Sequence, residues 1–367
     1  TQCGFCNPGF IISLTCYFLN ESDLSQTGAI NYLSGNICRC TGYAGIKRGV
    51  EQCIGILENA GTAGNKRIDN LIANNFIPSY FAGIPALLKK IKSAAGASEK
   101  RGTLISGGTD LYVQKWEELV RSKARLVAKE DKYKEIALKK GRIFIGAAAV
   151  IEQIKNSSLL QKYFPGWNEY LSLFGSLPVR NRATAGGNIV NASPIGDFTS
   201  ILMALDAEVH IKGTKGKRSL PLKNFYKGYK TLDIKKDEIV EAFSFKAPSK
   251  NHLFNYEKVS KRTYLDIASV NTSLSLEIKN NHIDKINISA GGVAPVPLSL
   301  GGISSFLRGK EINVYNIKQG TAVAMEEISP ISDARGSAGY KRLLLRQLLY
   351  AHFIKLFPEQ INPEELL

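Results

Sequence analysis

Cysteine is missing from most of this chain. All six cysteines of the 367 residues fall at or before Cys53, and none follows. Such a distribution points to metal or redox chemistry in the first segment rather than to a disulfide framework, and it marks a domain boundary. Histidine is scarce too, with four scattered residues. There is no H-E-x-x-H and no G-x-S-x-G, so the machinery of zinc proteases and serine hydrolases is absent. Neither G-x-G-x-x-G nor G-x-x-x-x-G-K-[ST] occurs, which disfavours the ordinary nucleotide folds. No stretch approaches the roughly 20 uninterrupted apolar residues of a membrane span, and no internal repeat or low-complexity tract is visible. The chain opens Thr1-Gln2-Cys3, without Met and without a basic-then-apolar leader. It reads as a cytoplasmic protein, and its start within a motif leads us to expect further residues upstream.

What is present is ordinary in bulk. An apolar content of 44% with 22% charged residues is that of a globular protein, and the length calls for two or three domains. The 48 Lys and Arg outnumber the 32 Asp and Glu, for a net charge of +16. That excess raises a nucleic-acid reading. However, the basic residues are spread over Lys89-Lys90, Lys139-Lys140, Lys212 to Arg218, Lys235-Lys236 and Lys261-Arg262, and they do not alternate with aromatics. A basic surface for anionic ligands or an acidic partner is the plainer expectation, with no nucleic acid and no membrane.

Four segments follow from the patterning. Residues 1–62 read as helical, with Pro8 in a first turn, a stop at Gly35-Asn36, and a third helix from about Tyr43 that carries Ile46, Val50, Cys53 or Ile54, and Leu57 on one face. Residues 63–75, with Gly61 to Asn65 at their start, read as a linker. Residues 76–250 alternate helix and strand: Ile84, Leu87, Leu88 and Ile91 repeat at helical spacing, while Thr103 to Ser106 and Arg142 to Gly146 read as short buried strands. From 251 to 367 a period-two run sets Ala268, Val270, Thr272, Leu274, Leu276 and Ile278 against Ser269, Asn271, Ser273, Ser275 and Glu277. This predicts a half-buried antiparallel strand, followed by a closing helix with Leu344, Leu345, Leu348, Leu349, His352 and Phe353 near one face.

Four cysteines form two close pairs, Cys3-x2-Cys6 and Cys38-x1-Cys40, separated by 31 residues. Four thiolates meet the needs of a [2Fe–2S] cluster or of an all-thiolate zinc site. Zinc sites favour two to four residues within a pair, whereas ligands one residue apart suit a single iron of a wider two-iron core, so the spacing leans toward iron. Each pair precedes a predicted helix, whose N-terminal N–H groups favour a negatively charged cluster. Gly4, Gly42 and Gly45 permit close backbone approach. Cys16 and Cys53 sit at helical core positions and read as small buried hydrophobes.

Two glycine-rich segments stand out downstream. Leu104-Ile105-Ser106-Gly107-Gly108-Thr109-Asp110-Leu111 is a strand entering a tight turn, whose free N–H groups would make a nest for a pyrophosphate. Val179 to Asp197 crowds small and amide residues together, too polar for a core. Such groups hydrogen-bond phosphates, ribityl hydroxyls or flavin edges, and Asp197 would accept from a ribose hydroxyl or an adenine amine. A long buried turn is the alternative.

Gln2-Cys3-Gly4-Phe5-Cys6-Asn7-Pro8-Gly9-Phe10, together with Asn36-Ile37-Cys38-Arg39-Cys40-Thr41-Gly42-Tyr43, closely resembles the helical [2Fe–2S] domain of the xanthine oxidase family of molybdenum hydroxylases, including the 31-residue gap. The two glycine-rich segments resemble the FAD domain of the same family, which is of the vanillyl-alcohol-oxidase-like type. The resemblance implies three domains: an all-α helical [2Fe–2S] domain, an α+β FAD-binding domain and a C-terminal α+β subdomain with an antiparallel sheet. It implies that Cys3, Cys6, Cys38 and Cys40 hold the cluster, with Gln2 and Cys40 against the pterin of a molybdopterin-binding large subunit. The flavin set it implies is Ile105, Ser106, Gly107, Gly108, Thr109, Asp110, Leu111, Thr184, Gly187, Asn188, Asn191, Ser193, Asp197 and Val240. Phe174 falls where the family sets an aromatic residue against the isoalloxazine, and Lys258 and Asp266 near the flavin and the nicotinamide entrance. Thr263-Tyr264-Leu265 departs from the family's acidic pattern there. Family members carry a second [2Fe–2S] cluster on a preceding ferredoxin-like domain, expected upstream of Thr1. The implied activity is electron relay within a hetero-oligomeric xanthine dehydrogenase of purine catabolism, with NAD+ as acceptor. Aldehyde, nicotinate or carbon monoxide as substrate, and a basic zinc-bearing binding module, are the alternatives.

Overall fold

The computed structural model describes residues 2–61, 67–91 and 102–366. It divides into two compact units, Thr1–Glu99 with Ser176–Pro178, and Lys100–Gly175 with Val179–Leu367.

The smaller unit is helical: α1 (Asn7–Asn20), α2 (Gln26–Leu33), α3 (Ala44–Asn59), α4 (Arg67–Ala73) and α5 (Ile84–Lys90). Pro8 occupies the first turn of α1, where its missing N–H removes no helical bond. Ser25 caps α2 by accepting from the Gly28 N–H at 3.0 Å. Phe10, Tyr17, Ala29, Leu33, Cys38, Val50 and Ile54 form the core. Cys16 and Cys53 do not join it, and both are exposed. In α3 the buried stripe is Val50, Ile54 and Leu57, so Cys53 lies about 100° round the helix from Ile54; Cys16 is displaced likewise from Tyr17. Residues 67–73 of the expected linker form α4, whose Leu71 is buried, while positions 63–66 lie outside the described residues. The spacing of Ile84, Leu87 and Leu88 does yield a helix, but Leu87, Leu88 and the following Ile91 are exposed.

The larger unit opens with β1 (Thr103–Ile105), α6 (Leu111–Gln114), α7 (Trp116–Arg121) and β2 (Ala124–Leu126), the two strands pairing in parallel. Only Ile105 of β1 is buried; Thr103 and Leu104 of this two-stranded sheet are exposed. Next come β3 (Ile136–Lys139), β4 (Arg142–Gly146), α8 (Ile151–Lys155), α9 (Ser158–Tyr163), α10 (Trp167–Ser172), α11 (Leu177–Arg180), α12 (Ala185–Val190) and α13 (Asp197–Ala204). They are followed by β5 (Glu208–Gly213), β6 (Gly216–Pro221), the short hairpin β7 (Tyr226–Gly228) and β8 (Thr231–Leu232), and β9 (Ile239–Lys246). Strands β3-β4-β9-β5-β6 make an antiparallel sheet. One face supplies Ile143, Ile145, Val209, Ile211, Phe243 and Phe245 to a core shared with residues of α8 to α10, α12 and α13.

The last part holds β10 (His252–Val259), β11 (Val270–Lys279), β12 (His282–Gly291), β13 (Leu298–Ser299), α14 (Gly301–Leu307), α15 (Val314–Glu327), α16 (Ala338–Leu356) and α17 (Pro363–Leu366). The sheet β10-β11-β12-β13 is antiparallel throughout. Strand β11 alternates as the sequence predicts, yet residues 270–276 are buried on both faces. Its polar face packs on α13 instead of meeting water: Ser200 of α13 lies 3.1 Å from both Ser273 and Ser289. Hydroxyls satisfied by one another give the same period-two pattern as hydroxyls satisfied by solvent. On the other face Leu274 and Leu276 join Leu345, Leu349 and Phe353 of α16 in a second core. Among the described residues no helix is long and apolar enough to cross a membrane.

Candidate functional site

In the smaller unit, the loop before α1 and the loop before α3 bring Cys3, Cys6, Cys38 and Cys40 around one small cavity, with Gln2, Gly4, Asn7, Thr41 and Ile46 completing its lining. The second loop is shaped by Gly42 and Tyr43, both with left-handed φ, at 58° and 66°. Glycine accepts that conformation freely, whereas Tyr43 is held in it by contacts of both its ends. Its N–H donates to Thr41 Oγ1 and its Oη accepts from the Cys38 N–H, each at 3.1 Å.

The sulfurs are arranged in pairs. Cys3 and Cys40 lie 3.6 Å apart, and Cys6 neighbours Cys38. Each pair therefore takes one cysteine from each motif, rather than Cys38 and Cys40 sharing a partner ion. The one-residue spacing predicts Cys38 and Cys40 on a single iron; instead the loop turns their sulfurs toward different partners, Cys6 and Cys3. Among the described residues no three His, Cys, Asp or Glu side chains converge to hold a single ion. Two sulfur pairs fit a two-iron cluster, while a tetrahedral zinc would draw four sulfurs together. The thiols are also tuned. The Thr41 hydroxyl and backbone N–H groups hold Cys38 down to about 7, and the Phe5 backbone lowers Cys3; burial and the neighbouring Cys38 push Cys6 up. Hydrogen bonds aimed at sulfur favour the thiolate, which is the form that binds iron.

In the larger unit the Gly-Gly turn after β1 meets the second glycine-rich segment. Thr184 Oγ1 donates to Ser106 Oγ at 2.9 Å and accepts from the Gly187 N–H at 3.1 Å. A Cβ on Gly107 would lie 1.9 Å from the Arg182 carbonyl oxygen, so only glycine fits between the two loops. Gly108 has φ 75°. The turn closes by bonds from Tyr112 and Gln114 back to Gly108 and Asp110. Among the described residues, the N–H groups of Gly107, Gly108, Thr109 and Asp110 find no protein acceptor. Four unspent donors in one turn match the needs of a pyrophosphate. Ile105 is buried behind them, Thr109 and Leu111 are half-buried, and Asp110 is exposed.

The remaining candidates lie along α12, α13 and the strands beneath. Asn188 Oδ1 accepts from Thr199, Asn191 is held by Lys230, and Ser193 accepts from the Ile195 N–H. The carboxylate of Asp197 is engaged by protein on both oxygens. Lys258 Nζ donates to Oδ2 and Asn271 Nδ2 to Oδ1, each at 2.7 Å. Tyr256 is buried beside it, and burial together with the Asp197 charge pushes its phenol well up. The ammonium of Lys258 is buried, 1% exposed, and also donates to the Leu173 carbonyl at 2.7 Å. Phe174 and Val240 belong to the core cluster of this unit. Asp266 pairs with Arg262, which holds its carboxyl below the ordinary range.

Sequence reasoning passed over three participants. Asn271 sits on the polar face of β11, and Arg180 and Glu152 form a buried pair at 2.6 Å. Arg180 lies inside the glycine-rich segment already singled out, but nothing in a linear reading pairs it with a residue of α8.

Three family profiles match the chain: a [2Fe-2S] binding domain over residues 1–51, an FAD binding domain in molybdopterin dehydrogenase over 77–246, and a CO dehydrogenase flavoprotein C-terminal domain over 255–356. The glyceraldehyde dehydrogenase medium chain of Sulfolobus acidocaldarius is 29% identical, the match covering 58% of this chain and 74% of that one. A xanthine dehydrogenase of Emericella nidulans is 22% identical over 89% of this chain, which spans 29% of its length. A solved carbon monoxide dehydrogenase from Hydrogenophaga pseudoflava shares the fold, with a TM-score of 0.64 at 24% identity, over 72% of this chain and 90% of that one. The chain thus contains a [2Fe–2S]-binding domain and an FAD-binding domain, the latter matching the FAD domain of molybdopterin dehydrogenases.

Proposed function

We propose that this chain serves a xanthine dehydrogenase, receiving electrons from purine oxidation on a molybdopterin-binding partner subunit and delivering them to NAD+. The carrying observation is the order of parts in one chain, a cluster domain directly followed by the flavin and C-terminal domains. The Emericella nidulans xanthine dehydrogenase matches 89% of this chain; aldehyde oxidase 2 of Mus musculus matches 98% of it, so an aldehyde is the competing substrate.

The two bound groups would supply the redox chemistry: one-electron steps at iron, and the passage between one- and two-electron steps at the flavin. The protein's part is to hold them. Cys3 with Cys40, and Cys6 with Cys38, would ligate the irons; the Gly107 to Asp110 N–H groups would receive the pyrophosphate; Thr184, Gly187 and Asn188 would line the path to the ring. Phe174 would wall the isoalloxazine. Lys258, tied to Asp197, would lie behind it, and Asp266 near the acceptor's approach. The nest after β1 in place of a Rossmann fingerprint supports the vanillyl-alcohol-oxidase-like type for the flavin domain. Six unpaired cysteines suit the reducing cytoplasm.

The test is to purify the chain with its molybdopterin-binding partner and follow NAD+ reduction on adding xanthine. NADH formation dependent on xanthine supports the reading. Turnover with aldehydes and none with xanthine transfers the assignment to an aldehyde-oxidising relative, the second reading, which the glyceraldehyde dehydrogenase match favours.

A further inference from the structure

The turn that follows α10 carries Phe174, and every carbonyl from Ser172 to Gly175 accepts from a buried cation. Arg180 is fully buried. Its Nη1 donates to the carbonyls of Ser172 and Phe174 at 3.3 Å and of Gly175 at 3.2 Å. The carbonyl between them, Leu173, accepts from Lys258 at 2.7 Å. The Gly175 carbonyl also accepts from the Leu265 N–H at 3.2 Å. Arg180 Nε is anchored in turn by Glu152 Oε2 at 2.6 Å, and Lys155 holds the other oxygen of that carboxylate at 3.3 Å. Burial alone would raise the Glu152 carboxyl, but Arg180 and Lys155 outweigh it and keep the group below its ordinary value, as the charged anchor of the clamp.

This is more than the closing of a helix end. The last carbonyls of a helix are commonly met by water or by one capping N–H. Here one nitrogen, Nη1, lies within 3.3 Å of three of them while Nε of the same planar group bonds Glu152, so the guanidinium plane ties the turn to α8. Lysine could not do both, because its single nitrogen cannot meet the carbonyls and the carboxylate from two fixed positions. Gly175, at φ 52°, allows the chain to fold back over the guanidinium.

We propose that Arg180, anchored by Glu152, is a positioning residue for the flavin. It sets the angle of the Phe174 turn against the isoalloxazine without touching the cofactor. The inference rests on the reading that Phe174 faces the flavin ring. It makes the clamp, and not the side-chain packing of Phe174 alone, the determinant of how that ring is held.

The experiment uses the full chain reconstituted with FAD and its iron–sulfur cluster, comparing Arg180→Gln, Arg180→Lys, Glu152→Gln and Phe174→Leu. FAD affinity is read by fluorescence titration and ring environment by the visible circular dichroism of bound flavin; the iron–sulfur EPR signal serves as an integrity control. Arg180→Gln weakens FAD binding at least tenfold and alters the visible flavin dichroism, with an unchanged EPR signal. Arg180→Lys fails to restore the wild-type spectrum, and Glu152→Gln lies between. A folded Arg180→Gln protein with FAD affinity within twofold of wild type and a superimposable flavin spectrum overturns the proposal. If Arg180→Gln does not fold, Glu152→Gln decides by the same criterion, since it keeps the acceptor and removes only the anchoring charge. Phe174→Leu separates the two claims. A perturbed spectrum there beside a silent Arg180→Gln leaves the flavin reading standing and defeats the clamp. A silent Phe174→Leu defeats the placement of Phe174 at the ring, and the clamp with it.

Discussion

The two units hold their candidate sites by opposite means. In the smaller unit the core is a thin one, built on seven buried residues of the helical segment, and the four sulfurs approach only in pairs. In the larger unit the protein's own contacts lock the loops. Gly107 sits against the Arg182 carbonyl, Thr184 bonds Ser106, and buried ion pairs join Arg180 to Glu152 and Lys258 to Asp197. A site built from paired free thiols depends on its metal for folding free energy, whereas a site built from satisfied buried charges is preorganised. The iron site is therefore the labile one, and the flavin site the rigid one.

The sharpest way to break this contrast is Cys38→Ser. It removes one ligand of one sulfur pair, so iron content and the iron–sulfur absorption are lost entirely while FAD content stays at the wild-type level; a joint loss of both would refute the independence of the sites. Next in size is Glu152→Ala. Stranding the fully buried Arg180 guanidinium destabilises the larger unit by about 3–5 kcal/mol, measured as a shift in its urea transition, with iron content unaffected. Gly107→Ala comes third. Its new Cβ meets a backbone oxygen that no rotamer can move, at a cost of about 1–3 kcal/mol, and FAD titration reports a weakened site.

A further effect concerns pH. His352 is fully buried between Asn255 at 2.9 Å and Thr272 at 2.7 Å. Burial, with a lesser contribution from Lys355, depresses it to about 3. A histidine whose folded value lies below its unfolded one of roughly 6.5 adds stability that is complete above that pH. That stability is lost as the pH falls from 6.5 toward 3, at about 1.4 kcal/mol per pH unit. Denaturant melts of the larger unit between pH 7 and 5 show this slope, and His352→Gln flattens it.

How much of this is written locally in the chain differs between the same two regions. The cysteine pairs and the Gly107-Gly108 turn are legible because their chemistry is carried by neighbours in sequence. The helix around Val50 and Ile54 is legible as a helix, yet the choice between Cys53 and Ile54 for its core face turns on one residue of phase, which periodicity alone leaves open. The Arg180 clamp is not legible, because its anchor lies 28 positions upstream and an isolated Glu on a short helix reads as a solvated charge. The polar face of β11 reads as wet for a related reason. Ser273 and Ser289 are satisfied by Ser200, a partner contributed by α13 from far upstream. Sequence patterns report which groups need partners, and only the fold says whether water or protein supplies them.

The most direct test of the central claim is metal and flavin analysis of the reconstituted chain, alone and as the Cys38→Ser variant. We predict two irons and one FAD per wild-type chain, and full FAD with no iron in the variant. A single zinc in place of iron, or FAD lost together with the metal, would contradict the account.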